Sequence, residues 1–434
     1  MHSKDQSRNS IFRTISRATT AALGLAIMLA LTVVLVPSAQ AQTFTVLHSF
    51  TCCEEGYLPF AGVTMDRAGN LYGTTMFGGD RSQCCGTVFK LTHKVFSKLS
   101  SLEGTYGDAP VARVIFGPDG SLYGTSLYGG SRDYCDSGNG CGTVFKVSPP
   151  PTPCKTALCG GWNTTRLYTF TGASDGGEPG YGDVVFDGAG NLYGTTITGG
   201  VGNCNSPSET CGVVYKLTPS NGGWTGSVLY SFKGGSDGGN PYAGVIFDAV
   251  GNLYGTTALG GSYGYGTVYQ LTPSGSGWVE NILYAFHGGD DGVNPTGGLI
   301  FDQSGSLYGT TSAGGQGGGG TVFMLKPSDG NWTFSVAASF TGTGSSPGPS
   351  DSLIMDAAGD LYGTTASDGA YLTGSVFKLT PSHGGWTETD LYTFTCDVGC
   401  YPHGSVLLDA TGNLYGTAEL GGTGSGGIVW EITP

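Results

Sequence analysis

Residues 243–286 read AGVIFDAVGNLYGTTALGGSYGYGTVYQLTPSGSGWVENILYAF. Four strand-like runs lie in this stretch, separated by turn residues. Ala243 to Asp248 is short and apolar, as an inner strand buried on both faces should be. A turn follows over Asp248-Ala249-Val250-Gly251-Asn252, where Asp bonds the backbone ahead of it and Gly accepts a positive φ. Asn252 to Ala258 reads as a second strand. Within it, Gly255 removes a side chain where a neighbouring backbone or ring must come close. Gly266 to Thr272 reads as a third strand, ended by Pro273, which cannot donate to a ladder. Trp278 to Phe286 reads as a fourth.

The same unit recurs. Leu-Tyr-Gly occurs at Leu71, Leu122, Leu192, Leu253, Leu307, Leu361 and Leu414, with spacings of 51, 70, 61, 54, 54 and 53 residues. Four strands in about 50 residues, with no helical period, make a propeller blade. A β-helix would need shorter coils, and a sandwich would not repeat one unit seven times. The fold expected is all-β: a seven-bladed β-propeller with four-stranded antiparallel blades. Val46-Leu47-His48-Ser49-Phe50 matches a fourth-strand ending, whereas the chain closes on a third strand, Ile428 to Thr433. The N-terminal strand is therefore expected to complete the last blade and close the ring, because an open ring would leave unpaired edges.

Residues 1–41 read as a signal peptide. Lys4, Arg8, Arg13 and Arg17 precede an apolar run from Thr20 to Val36, and Ala39-Gln40-Ala41 supplies a cleavage site. Residues 42–434 are then expected to form one propeller domain, secreted or periplasmic. Without Asp5 and those four basic residues the chain holds 14 Lys+Arg and 31 Asp+Glu. Such a balance repels nucleic acid and anionic lipid. The 80 glycines show no period of three, which excludes collagen. All 12 cysteines follow the leader, and an even number in an exported chain reads as disulfides. Cys135/Cys141, Cys154/Cys159, Cys204/Cys211 and Cys396/Cys400 are local pairs. Cys52 and Cys53 are expected to bridge to Cys84 and Cys85, in an order left open. The pairs do not stand with clustered His at the ligand spacing zinc needs, so no metal site is expected.

The Asp187–Thr196 core with Gly199-Gly200, and the Gly86–Thr92 strand with His93 in place of Pro, resemble the Gloeo/Verruco tandem repeat of exported bacterial β-propeller-like proteins. The resemblance covers nearly all of residues 43–434. It implies a repeat architecture, often with varied C-terminal anchors, and no defined reaction. A chain stopping at Pro434, right after a blade strand, shows no anchor, so release is expected.

Chemistry is sparser. Metalloprotease, P-loop and dinucleotide motifs are absent, and no cofactor is expected. Gly-x-Ser-x-Gly around Ser174, Ser236 and Ser262 lies on no strand-to-helix turn, which a nucleophile elbow requires. The repeated Asp66, Asp187, Asp248, Asp302, Asp356 and Asp409 each offer one carboxylate per turn, which suits backbone bonding better than calcium. Blade two has Gly117 there. The repeated tyrosines of Leu-Tyr-Gly read as packing between blades.

Positions that differ among the copies are the better candidates. The loop into each inner strand carries Phe60, Val111, Tyr181, Tyr242, Thr296, Ser350 and His403, expected at the mouth of the central channel. Asp175, Asp237 and Asp290 stand nearby in sequence. Aromatic faces and carboxylates together suit a neutral sugar, a cation or a peptide. The expected ligand-binding set is Phe60, Tyr181, Tyr242, Asp175, Asp237, Asp290 and His403. The function expected is non-catalytic recognition of a glycan or extracellular protein by a monomer, with no nucleic acid and no membrane partner after leader cleavage. A polysaccharide hydrolase or lyase is the alternative, with His403 and Asp397 as its candidate catalytic pair. A structural surface or adhesion component is the third.

Overall fold

The second and third strands of each blade meet through one cross-strand pair that dictates the sequence. In blade four, Gly255 stands opposite Tyr269, and a Cβ on Gly255 would lie 2.4 Å from the tyrosine Oη. The same slot holds Phe89 over Gly73, Phe323 over Gly309 and Trp430 over Gly416. The glycine of Leu-Tyr-Gly is therefore the floor on which each blade seats its largest buried ring.

The computed structural model describes residues 42–51, 53–79, 85–130, 135, 138–151, 161–202, 204, 210–275, 277–342, 348–349 and 351–434. Among them lie seven antiparallel four-stranded sheets, arranged as a seven-bladed β-propeller. Blade four runs Ile246–Phe247, Leu253–Thr257, Thr267–Ser274 and Gly277–Ala285 from the inside outward. In the last blade Thr43–Ser49 is the outermost strand, beside Ile428–Thr433. Phe50 N–H donates to the Gly427 carbonyl at 2.9 Å, continuing that closure past the strand end.

Two local expectations need correction. The inner strand is only two residues long, because residues 243–245 turn towards the neighbouring blades at the channel. Gly244, for example, would place a Cβ 2.1 Å from the Asp183 carbonyl. Pro273 does not end the third strand, which continues to Ser274 with Pro273 opposite Trp278. The second strand has already stopped, since Leu253 pairs with Leu271. Proline there costs no ladder bond on the open edge.

The core lies between blades. Tyr254, Val268 and Phe286 of blade four pack with Leu299, Leu307, Phe323 and Leu325 of blade five. Across the closure, Phe50, Val63, Leu71, Phe89 and Leu91 pack with Tyr415 and Val429. Each Leu-Tyr-Gly tyrosine leans on the next blade's inner strand, as Tyr72 does edge-on to Phe116 at 5.2 Å and Tyr193 to Phe247 at 4.9 Å. Its hydroxyl returns to its own turn: Tyr72 donates to Asp66 Oδ2 at 3.0 Å.

That aspartate is fully occupied. Asp66 Oδ1 accepts the N–H groups of Ala68 and Asn70, both at 2.9 Å, and Oδ2 also takes the Asn70 amide at 2.7 Å. Burial alone would raise this carboxyl, but the bonds from Asn70, Tyr72 and Ala68 outweigh it and hold it below its ordinary value. Asp187, Asp248, Asp302 and Asp409 are lowered in the same way. In blade two, where Gly117 replaces the turn acid, Asp119 takes over. It accepts from Ser121 N–H at 3.1 Å and from the Tyr123 hydroxyl at 3.2 Å.

Three of the expected disulfides are present: Cys135–Cys141, Cys204–Cys211 and Cys396–Cys400. Cys85 is disulfide-bonded as well. Cys52, Cys84, Cys154 and Cys159 lie outside the described residues. No helix of the described residues is long and apolar enough to cross a membrane.

Candidate functional site

Six residues before the turn, six of the blades present one side chain to the mouth of the channel. Phe60, Val111, Tyr181, Tyr242, Thr296 and His403 occupy this place in six blades, and all six line one cavity of about 220 Å³. Ser350, the seventh, lies outside the described residues. The scaffold explains the convergence. The loop into each inner strand pairs with the loop leaving the second strand, as in Tyr57 with Phe77 and Val293 with Ala313, so both reach the same face.

The cavity is two-sided. On one side an aromatic arc runs from blade seven to blade four. His403 stacks on Phe60 with centroids 4.5 Å apart and planes 11° off parallel. Phe60 meets Tyr181 at 5.5 Å, and Tyr181 meets Tyr242 at 5.5 Å. Val111 and Leu127 support the arc from behind. Burial, then Tyr242, Tyr128, Glu178 and Glu419, push the Tyr181 hydroxyl up to about 12, so it stays a proton donor at neutral pH. The opposite side carries the hydroxyls of Thr296, Ser312 and Ser352.

Below the mouth the next two positions of each copy form a narrow ring. In most blades they are Gly, Ala or Ser, because the inner strands nearly touch there. Three charged residues break the pattern: Arg113, Asp183 and Asp351. Arg113 grips Asp183 through its backbone N–H to Oδ1 at 3.0 Å, and through Nε and Nη2 to Oδ2 at 2.9 and 2.7 Å. Both side chains stay partly open to the channel, at 27% and 29% exposure. Asp351 accepts Ser352 N–H on Oδ1 at 2.6 Å and Ser405 N–H on Oδ2 at 2.7 Å. Burial and then the negative charge of Asp183 raise Asp351 to about 6, against the pull of Ser352 N–H, Arg113 and Ser405 N–H. Asp183 and Asp351 line the cavity floor.

Sequence reading missed these three residues. The available signal was their departure from small residues in the aligned copies. At the place of Asp351 the other six blades have Ala61, Ala112, Gly182, Ala243, Gly297 and Gly404.

The nearby acids named from sequence are placed elsewhere. Asp175 and Asp237 turn back to the preceding outer strand, where they accept the hydroxyls of Tyr168 at 3.1 Å and Tyr230 at 2.5 Å. Asp290 is solvent-exposed beside Asp291, which takes the Tyr284 hydroxyl at 2.8 Å. None of Asp175, Asp237 and Asp290 lines the cavity. The carboxylate that pairs with His403 is Glu419, at 3.1 Å from Nε2, in place of the expected Asp397. Glu419 follows the second strand of the same blade, so the loop pairing that builds the mouth also brings these two together. Among the described residues, no group of three or more His, Cys, Asp and Glu could hold a metal ion.

Comparison with solved structures identifies the architecture. A fungal alcohol oxidase of the AA5 family, solved in complex with copper, superposes with a TM-score of 0.52 at 13% identity, over 90% of this chain and 76% of that one. The polysaccharide lyase Uly1 gives 0.47 at 13% identity, over 92% and 95%. The soluble aldose sugar dehydrogenase of Escherichia coli gives 0.43 at 14%, over 91% and 99%. At such identities the likeness is one of fold alone. No curated protein matches the sequence. The Gloeobacter/Verrucomicrobia repeat matches residues 32–206 and 282–434, most of the length, and this chain belongs to that repeat family.

Proposed function

We propose that this protein is an exported recognition propeller that binds a glycan or an extracellular protein in the channel-mouth cavity. One observation carries the reading. A position that varies among the copies lines a single cavity in six blades, with an aromatic arc on one side and hydroxyl-bearing residues on the other. Such a pairing of apolar faces with a few convergent polar groups is what small-ligand sites need. The disulfides at Cys135–Cys141, Cys204–Cys211 and Cys396–Cys400 support an oxidising destination, and with it the reading of residues 1–41 as a leader.

A second reading, a polysaccharide hydrolase or lyase, is favoured by the His403–Glu419 pair at the rim. The test is a glycan array run beside depolymerisation assays on the same purified protein. Binding without turnover, lost in Phe60→Ala/Tyr242→Ala, is the expected result. Turnover abolished by His403→Ala would establish the second reading instead. Binding untouched by the double substitution would remove the mouth from consideration.

A further inference from the structure

The charges inside the channel do not balance. Arg113 and Asp183 neutralise each other through a two-pronged contact, and Asp351 remains as an acid whose direct bonds come from backbone N–H groups. A carboxylate partly withdrawn from water into a cavity is stabilised by a positive charge that meets it. Asp351 and Asp183 both line the cavity, so a cation entering from the mouth would be attracted to both. The wall above them suits the same guest. The faces of Tyr181 and Tyr242, with the face of Phe60 that His403 leaves uncovered, carry negative potential that attracts a cation, and such rings also stack on the apolar face of a sugar ring.

Two further features narrow the guest. The cavity, at about 220 Å³, falls below the roughly 300–1,000 Å³ of clefts that take drug-sized ligands, so it accommodates one ring and not a chain lying across it. Opposite the arc the lining is polar: Thr296, Ser312 and Ser352 line the cavity, and Ser312, whose proton goes to the Asn294 carbonyl at 3.1 Å, keeps its oxygen as an acceptor for a partner's hydroxyl. A lysine side chain would answer the carboxylates but leave that wall unmatched.

We infer that the cavity takes the terminal ring of an amino sugar, its ammonium group directed to Asp351 and Asp183 and its apolar face laid on the aromatic arc. This rests on the mouth being the binding site and adds the ligand's chemical class. Binding is non-covalent, and nothing in the inference requires turnover.

The experiment is calorimetric titration of the full chain with the β-1,4-linked disaccharide of glucosamine, its di-N-acetylated counterpart, cellobiose, and a lysine-containing tetrapeptide. The charged disaccharide should bind roughly tenfold or more tightly than either neutral sugar, the value of one charge-assisted hydrogen bond. Asp351→Asn should reduce that preference to about the neutral level. Because the comparison among ligands uses the unaltered protein, it decides the matter even if Asp351→Asn does not fold. Equal binding of charged and neutral sugars, weakened by Tyr242→Ala, would overturn the amino-sugar assignment and leave the mouth as the site. Preference for the tetrapeptide over the glucosamine disaccharide would overturn the sugar class in favour of a protein ligand. Sugar binding unaffected by Phe60→Ala/Tyr242→Ala would overturn both the assignment and the site.

Discussion

The hydroxyl of Thr417 donates to the carbonyl of Ala61 at 2.8 Å, joining residues 356 positions apart in the chain. The bond is the last member of a series. The equivalent threonine of blade three, Thr195, reaches Ala243 at 2.8 Å, that of blade five, Thr310, reaches Asp351 at 3.2 Å, and that of blade six, Thr364, reaches Gly404 at 3.0 Å. The threonine after Leu-Tyr-Gly thus ties each blade to the segment leading into the next inner strand, with blade two alone reaching two residues earlier, from Thr125 to Gly180. Blade seven closes onto blade one by the same rule as five of the six internal junctions. Thr417→Val should cost about 1–2 kcal/mol, since it leaves a buried carbonyl without its partner. Deleting residues 43–50 should do far more, because it strips Phe44 from Tyr392 and Trp430 and Phe50 from Phe89. Urea unfolding of both variants checks the order. A deletion with unchanged midpoint would break the closure account.

The glycine of Leu-Tyr-Gly yields a second prediction. A Cβ on Gly255 would meet Tyr269 Oη at 2.4 Å, within a cluster that is fully buried. Gly255→Ala should destabilise the protein by roughly 1–3 kcal/mol, the usual cost of forcing atoms into a packed core. The Tyr269 hydroxyl is itself buried and finds no hydrogen-bond partner among the described residues. Tyr269→Phe should therefore be neutral or stabilising, matching blade five, where Phe323 fills the same slot. Denaturant midpoints of the two single variants provide the measurement. A large loss in Tyr269→Phe would show that the hydroxyl has a partner after all.

The repeats made the strands, the blade count and the ring closure readable, because one unit used seven times separates scaffold from variation. The mouth ring was readable for the same reason: Phe60, Tyr181, Tyr242 and His403 sit where the copies disagree. The acids were not. Asp237 stands seven residues after Tyr230, and nothing in that spacing reveals that it folds back to the tyrosine hydroxyl. Asp351 escaped notice because it occupies a crowded position of the repeat where the other six copies keep Gly or Ala, and Asp183 because its position is shared by Gly, Ser and Arg113. A charge placed where six copies keep Gly or Ala is held there against packing, and that conflict was the cue.

The small disulfide loops should contribute modestly. Cys135–Cys141, Cys204–Cys211 and Cys396–Cys400 close loops of 6, 7 and 4 residues. On the chain-entropy account each limits the unfolded state by about 2 kcal/mol. Cys396→Ser/Cys400→Ser should lower stability by that order and leave the propeller folded, since the inter-blade clusters do not depend on it. Its sharper effect should be on the mouth, because the Cys400–Leu420 β-bridge joins the two loops that carry His403 and Glu419. Circular dichroism and ligand titration of the double variant separate the two effects. Complete unfolding would show that the bridge, and not the blade packing, holds that loop.

Glu280 gives a pH prediction whose sign is fixed by its surroundings. It lies on the outer strand of blade four with Tyr230 Oη 3.0 Å from its Oε2, and the same hydroxyl is 2.5 Å from Asp237. Burial first, then the hydrogen bond and charge of Asp237, raise Glu280 from 4.5 to about 9, while Tyr230 and Lys233 pull it back. Glu280 therefore holds its proton beside Asp237 between blades three and four. A carboxyl raised in the folded state costs nothing at a pH below its unfolded value of 4.5. As pH climbs towards 9 the unfolded chain ionises freely and the folded chain does not, so stability falls across that window. Glu280→Gln keeps an amide donor for Asp237 and has no charge to release. The variant should match the parent near pH 4.5 and exceed it increasingly up to pH 8.5, read as the difference between the two thermal midpoints. Parallel curves across that range would show that Glu280 ionises in place, and that the blade interface tolerates two adjacent negative charges.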